Sequence, residues 1–199
     1  REKVDYMTRL LEDTFQTKMV SHRAGRWAFD ERYARLLVEY GYLVDCSVTP
    51  RVNWKTAKGA PQGDGGTDYR HFPQHAYFLD ENDIRREGQS SLLEVPMSIQ
   101  YKHPAWLNTF KQGYDRLRGK YRSPSVNWLR PSGGNAAQMI QVAQQCLSQG
   151  SEYVEFMLHS SEFMPGGSLT FKDEAAIEGL YQDLETLFSW LSDKTVGMT

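Results

Sequence analysis

Residues 153–168 read YVEFMLHSSEFMPGGS, and the rest of the chain is organised around this stretch. An apolar run from Tyr153 to Leu158 halts at His159. Ser160, Ser161 and Glu162 follow, then the turn Pro165-Gly166-Gly167. A short apolar run bounded by turn residues predicts a buried strand. In sheets and barrels of parallel strands, chemistry gathers at the C-terminal ends of the strands. His159 occupies such an end, and an imidazole there gives or takes a proton near neutral pH. It can equally do no more than hydrogen-bond its neighbours, and position alone leaves both roles open.

The flanking chain carries the rhythm of an α/β unit. Val4, Met7, Leu10, Leu11, Thr14 and Phe15 recur at helical spacing and predict an amphipathic helix over 4–16. Residues 19–22 are a short strand candidate that leads into Arg23-Ala24-Gly25-Arg26-Trp27. Asp30 is placed to cap a helix that runs to Tyr40 and stops at Gly41. A second short strand, 42–44, ends in Asp45-Cys46-Ser47. Pro50 to Pro73 is a long Gly-, Lys-, Asp- and Gln-rich loop. Residues 92–100 read as a strand with Pro96 marking an edge or bulge. A helix over 106–117 and a strand over 126–129 come next. Asn135 with Gln138 suggests a capping box for a helix whose buried stripe is Met139, Val142, Cys146 and Leu147. Asp173 or Thr170 starts a last helix with Ile177, Leu180, Leu184, Leu187, Phe188 and Leu191 facing a core. The predicted class is α/β with parallel strands, in one domain spanning 1–199.

Composition excludes several classes. The 199 residues are 40% hydrophobic and 24% charged, a globular rather than a disordered balance. A net charge of −2 argues against a nucleic-acid binder that relies on bulk positive charge. No apolar run has membrane-spanning length. Cys46 and Cys146 stand far apart, in no metal-binding spacing, and read as small buried residues. Arg116, Arg118, Lys120 and Arg122 lie among Tyr114 and Tyr121, a pattern of a solvated face or of an anion contact. The chain opens at Arg1 without methionine and shows no signal peptide. Both ends read as cuts from a longer protein, which leaves localisation open between bacterial cytoplasm and envelope.

Three predicted strand ends carry polar groups: Arg23, Asp45 with Ser47, and His159 with Glu162. Parallel neighbours would bring them to one rim. There an aspartate bonded to an imidazole fixes its tautomer, and an arginine holds a carboxylate ionised.

SHRAGRW (21–27), GYLVDCSVTP (41–50) and FMLHSSE (156–162), in that order, resemble the later motifs of the polysaccharide deacetylases, a carbohydrate esterase family. The likeness is strongest to a subgroup found near lipopolysaccharide and exopolysaccharide genes. It implies an irregular parallel (β/α) barrel of which this chain is the later part, its first strands lying outside the chain. It implies hydrolysis of N-acetyl or O-acetyl groups on a polysaccharide or lipopolysaccharide precursor. Arg23 then orients the catalytic base, Asp45 supports the catalytic histidine, and His159 protonates the leaving group. Met157 lines the acetyl pocket, and Trp27, Ser47, Leu158 and Glu162 complete the substrate-binding set. The family also implies a divalent metal, zinc or similar, whose ligands belong to earlier motifs that nothing before Arg23 matches. His71 and His75 have i, i+4 spacing, but Pro73 between them opposes a helix. Gly25 stands where the family has proline, and no tryptophan directly follows the Asp45 motif. Two rival readings remain beside the esterase. One is a non-catalytic carbohydrate-binding or assembly protein on a degenerate scaffold, the other a metal-free amide hydrolase.

Overall fold

The computed structural model describes residues 1–58, 62–63, 65–104, 106–108, 110, 114, 117 and 124–195. Half of the helix predicted over 106–117 lies outside these residues, as do Arg116, Arg118, Lys120, Tyr121 and Arg122. Where the sequence reads as one domain, the chain divides into two compact units, Arg1–Met97 and Ser98–Thr199.

The first unit is a five-stranded mixed sheet with two helices. Strands β1 (Ser21–His22), β2 (Val44–Asp45), β3 (Tyr77–Asp80), β4 (Asp83–Glu87) and β5 (Leu93–Glu94) lie in the order β1-β2-β5-β3-β4. β1, β2 and β5 are parallel, whereas β3 runs antiparallel to β5 and to β4. The antiparallel hairpin was not expected from sequence. Its outer strand, Asp83-Ile84-Arg85-Arg86-Glu87, buries Ile84 alone, so it lacks the apolar run that marks a strand. The sheet is open, and no barrel closes among the described residues.

Helix α1 (Glu2–Phe15) forms as its period predicts, but its apolar stripe is not a core face. Thr8 is its buried residue, bonded to the Tyr42 hydroxyl at 2.9 Å, while Met7, Leu10 and Phe15 are exposed. Helix α2 (Glu31–Glu39) starts where Asp30 accepts from the Tyr33 N–H at 2.8 Å. It ends before Gly41, which takes a left-handed φ of 77°. Ala34 and Leu37 of α2 are fully buried against Phe29, Tyr42, Tyr69 and Leu79. Burying a leucine this way stabilises by roughly 1.5–3 kcal/mol.

The second unit pairs β6 (Ile99–Tyr101) antiparallel with β7 (Val126–Trp128) and carries helices α3 (Ala136–Ser148) and α4 (Glu174–Ser192). Leu129, Met139, Val142, Ala143, Leu187 and Leu191 form one core cluster, and Phe171, Ile177, Leu180 and Leu184 another. Of the two candidates Asp173 and Thr170, Asp173 caps α4, accepting from the Ala176 N–H at 2.9 Å. The capping box predicted at Asn135 does not form. Asn135 turns its side chain back to Ser132 and Arg130. The N–H groups of Asn135 and Ala136 instead reach the carboxylate of Asp183, buried on α4. An anion at a helix N-terminus satisfies orphan donors and opposes the helix dipole.

Residues 153–158 form no regular element and join no strand ladder, contrary to the strand predicted there. The Met157 N–H meets the Leu129 carbonyl at 3.3 Å, while the Glu155 N–H is taken by the Ser98 hydroxyl at 2.8 Å. Side-chain capture interrupts the alternation a ladder needs. Both cysteines are free thiols. No helix among the described residues is long and apolar enough to cross a membrane.

Candidate functional site

In the first unit the polar residues collect at the C-terminal ends of the three parallel strands. The register aligns His22 with Asp45, Asp45 with Glu94, and Glu94 with Tyr77. Paired positions project from one face of a sheet, so these four side chains form a row across it. Asp45 is fully buried and collects donors. Its Oδ1 accepts from His22 Nδ1 at 2.5 Å and from the Ser47 hydroxyl at 2.9 Å, and its Oδ2 from the Ser47 N–H at 3.0 Å. The Ser47 hydroxyl accepts in turn from the Ala24 N–H at 2.8 Å, which ties the two strand-end loops together. His22 Nε2 meets the Tyr33 hydroxyl at 3.0 Å. Tyr33 and Tyr42 pack edge-on against the imidazole, with centroids 4.9 and 5.9 Å away. Burial, then the charge of Asp45, raises the Tyr33 phenol above its ordinary range.

Arg23 follows His22 directly and is exposed, its guanidinium 5.7 Å from the Trp27 ring centroid. Trp27 stacks on Trp54 with centroids 6.5 Å apart and planes 16° from parallel. The turn Gly25–Trp27 that delivers it is strained, because Arg26 and Trp27 both take φ of 58°. A left-handed conformation in such residues costs of order 1–3 kcal/mol and persists only where the surroundings enforce it. Here the Trp27 carbonyl accepts from the buried Tyr69 hydroxyl at 2.7 Å, and Trp54 Nε1 donates to Thr49 at 2.8 Å. Burial foremost, with Glu94 and Asp45 adding to it, pushes the Tyr69 phenol far above its ordinary value.

In the second unit, His159 is exposed and takes an extended conformation just before the short turn Ser160–Phe163. Its N–H donates to Glu162 Oε2 at 2.8 Å, and its carbonyl accepts from the Glu162 N–H at 2.9 Å. Glu162 is buried, and its Oε1 takes a bond from Arg130 Nη2 at 2.9 Å. Glu162, expected at substrate, thus bonds both the His159 N–H of its own loop and Arg130, which follows β7. Met157 is buried, and half-buried Leu158 packs on the cluster around Phe171. Gly167 closes the loop so tightly that a side chain there would collide with the Ser161 carbonyl, while Gly166 before it takes a left-handed φ of 75°.

The structure thus joins Asp45 with Ser47, and Arg23 with Trp27. The expected rim of Arg23, Asp45 and His159 draws on both units, with Arg23 and Asp45 in the first and His159 in the second. Sequence reasoning gave Asp45 to His159 and missed its bonded partner, His22, together with Glu94. The signal for His22 was its place at a strand end beside Arg23. The signal for Glu94 was a carboxyl inside the apolar run LLEVP. As for a metal, His75 Nε2 is bonded to Glu87 at 2.8 Å, and both ring nitrogens of His22 are engaged. No group of three His, Cys, Asp or Glu among the described residues could hold an ion. The described residues do not fit a metal centre. Set against protein-family models, curated proteins and solved structures, the chain has no match.

Proposed function

We propose that this chain is part of an esterase-type hydrolase that removes acetyl groups, N-linked or O-linked, from a polysaccharide. The observation that carries the reading is the buried Asp45 carboxylate, bonded to an imidazole at the ends of parallel strands. Beside it stands the ordered resemblance of the three motifs to polysaccharide deacetylases. In this reading Arg23, exposed next to the cluster, orients an anionic partner of the reaction. Trp27, stacked on Trp54, offers an apolar surface against which a sugar ring packs. His159 supplies the acid, because an amine is a poor leaving group until it is protonated. No step is assigned to a metal.

A second reading, a carbohydrate-binding protein without catalysis, is favoured by one observation. Both nitrogens of His22 are taken by internal partners, so the Asp45–His22 couple is fully engaged within its own unit. Acetate release from acetylated oligosaccharides by the full-length protein separates the two. His159→Ala is expected to lower turnover by roughly two to four orders of magnitude. Wild-type turnover in that variant would remove His159 from the chemistry. A wild type that binds the glycans but releases no acetate would establish the second reading.

A further inference from the structure

Asp45 and Glu94 are register partners on parallel strands, so their side chains leave the same face side by side. Both are fully buried. Glu94 Oε1 accepts from the Val48 N–H at 2.9 Å. Glu94 Oε2 is buried and meets no N–H or O–H donor among the described residues. Across from it stands the Asp45 carboxyl, itself filled by three donors. An ionised carboxylate can only accept, and two of them in contact away from water repel. One proton turns that contact into a strong O–H···O⁻ bond. Asp45 already has the donors of an ionised group, and Glu94 lacks one.

We propose that Glu94 is held as the neutral acid at neutral pH and donates its Oε2–H to Asp45 Oδ2. The two carboxyls then share one proton and one negative charge. Glu94 is a positioning residue for the Asp45–His22 couple, and this assignment stands whatever reaction the protein performs. Oδ2 is the matching acceptor, because it receives one donor where Oδ1 receives two. The surroundings agree. Burial foremost, then the charge of Asp45, pushes the Glu94 carboxyl well above its ordinary range, and the Val48 N–H opposes this only in part. The titratable groups that face it are Asp45 and Cys46 from β2 and its loop, Tyr77 from β3, whose hydroxyl donates to the Ile84 carbonyl, and Tyr69 from the long loop, with His22 beyond Asp45.

The test is carbon-13 NMR of the full-length protein labelled at glutamate side-chain carboxyls. At pH 7 one resonance should stay at the protonated-acid position, correlate to Glu94, and vanish in Glu94→Gln. Glutamine keeps both roles, since its amide donates to Asp45 and its oxygen accepts from Val48. The shared proton supplies the readout that a purely structural role would not move: a strongly hydrogen-bonded, downfield proton resonance that correlates to the Glu94 carboxyl in wild type and is lost in Glu94→Gln. Glutamate resonances all at the ionised position at pH 7, or a protonated-acid resonance that survives Glu94→Gln, would overturn the assignment. Should Glu94→Gln fail to fold, the assigned wild-type resonance decides by itself.

Discussion

Replacing Asp45 by alanine removes the acceptor on which the first unit's strand ends converge. Three observed donors lose their partner, His22 Nδ1, the Ser47 N–H and the Ser47 hydroxyl, and the Glu94 Oε2–H proposed above loses its acceptor with them. An unsatisfied buried donor costs about 1–3 kcal/mol, more beside a charge. The three share one small site that can partly relax, so a simple sum overstates the loss. Breaking a buried charged group from its partners costs about 3–5 kcal/mol, and that is the expected range here. Asp45→Asn should cost less, about 2 kcal/mol, because a neutral acceptor replaces a charged one while both positions stay filled. For that the asparagine NH₂ faces His22 Nδ1, the imidazole moves its proton to Nε2, from which it donates to Tyr33, and the Ser47 hydroxyl accepts from the same NH₂ and gives up its own acceptor. The assay is hydrogen exchange at the amides that lace the parallel strands: Cys46 to His22, Leu93 to Leu43, and Val95 to Asp45. At 1.4 kcal/mol per tenfold, Asp45→Ala should speed their exchange by about two to nearly four orders of magnitude. Less than about tenfold acceleration, or asparagine as damaging as alanine, would refute the view that hydrogen bonding to Asp45 holds these strands in register.

The pH dependence of stability has a definite sign. Glu94 is raised in the folded protein, so its contribution is complete below about pH 4.3, the ordinary glutamate value. It is lost as pH rises through the raised folded value, at up to about 1.4 kcal/mol per pH unit. Denaturant melts of wild type against Glu94→Gln across that interval should show the slope in wild type and its loss in the variant. Asp68 works the other way. Its bonds from Arg70 hold it below the usual range, so its smaller, solvent-screened contribution is lost as pH falls through the folded value. In the second unit, Glu162→Ala should strand Arg130 and the His159 N–H, and speed exchange over 157–167 by about tenfold to a hundredfold. Amides of the first unit should be unchanged, and acceleration there as well would mean the loop is not a local element.

What could be read from the sequence was mostly local. Asp30 and Asp173 cap helices where they were expected to, because an N-cap bonds a backbone N–H only three residues ahead. Gly41 likewise ends α2 through its own φ. The start of α3 escaped the same reasoning. Its capping carboxylate, Asp183, is 48 residues away from Asn135, and a tertiary contact replaced the local one. In α1 the 3.6-residue period identified the helix and its apolar stripe. It carried no information about what lies against the stripe, and Met7, Leu10 and Phe15 are exposed. Residues 153–158 show a related limit. An apolar run states that a segment is buried or half-buried, not that its amides enter a ladder. Here a serine hydroxyl took one of them.

The site was harder to read for a reason specific to short strands. β1, β2 and β5 are two residues long, so one register step decides which polar side chain meets which. The sequence marks Asp45 as a strand-end carboxylate but cannot say whether its imidazole comes from His22 or His159. Register supplies His22, and the same register sets Glu94 on the other side of Asp45. Yet Glu94 did carry a legible signal. A carboxyl between Leu93 and Val95 in a buried run must find a cation, find donors for both oxygens, or keep its proton. The N–H groups on either side of it, Leu93 and Val95, are committed to the ladder, and one of its oxygens to Val48. The remaining oxygen faces another carboxyl, so of the three outcomes only the retained proton satisfies both groups at once.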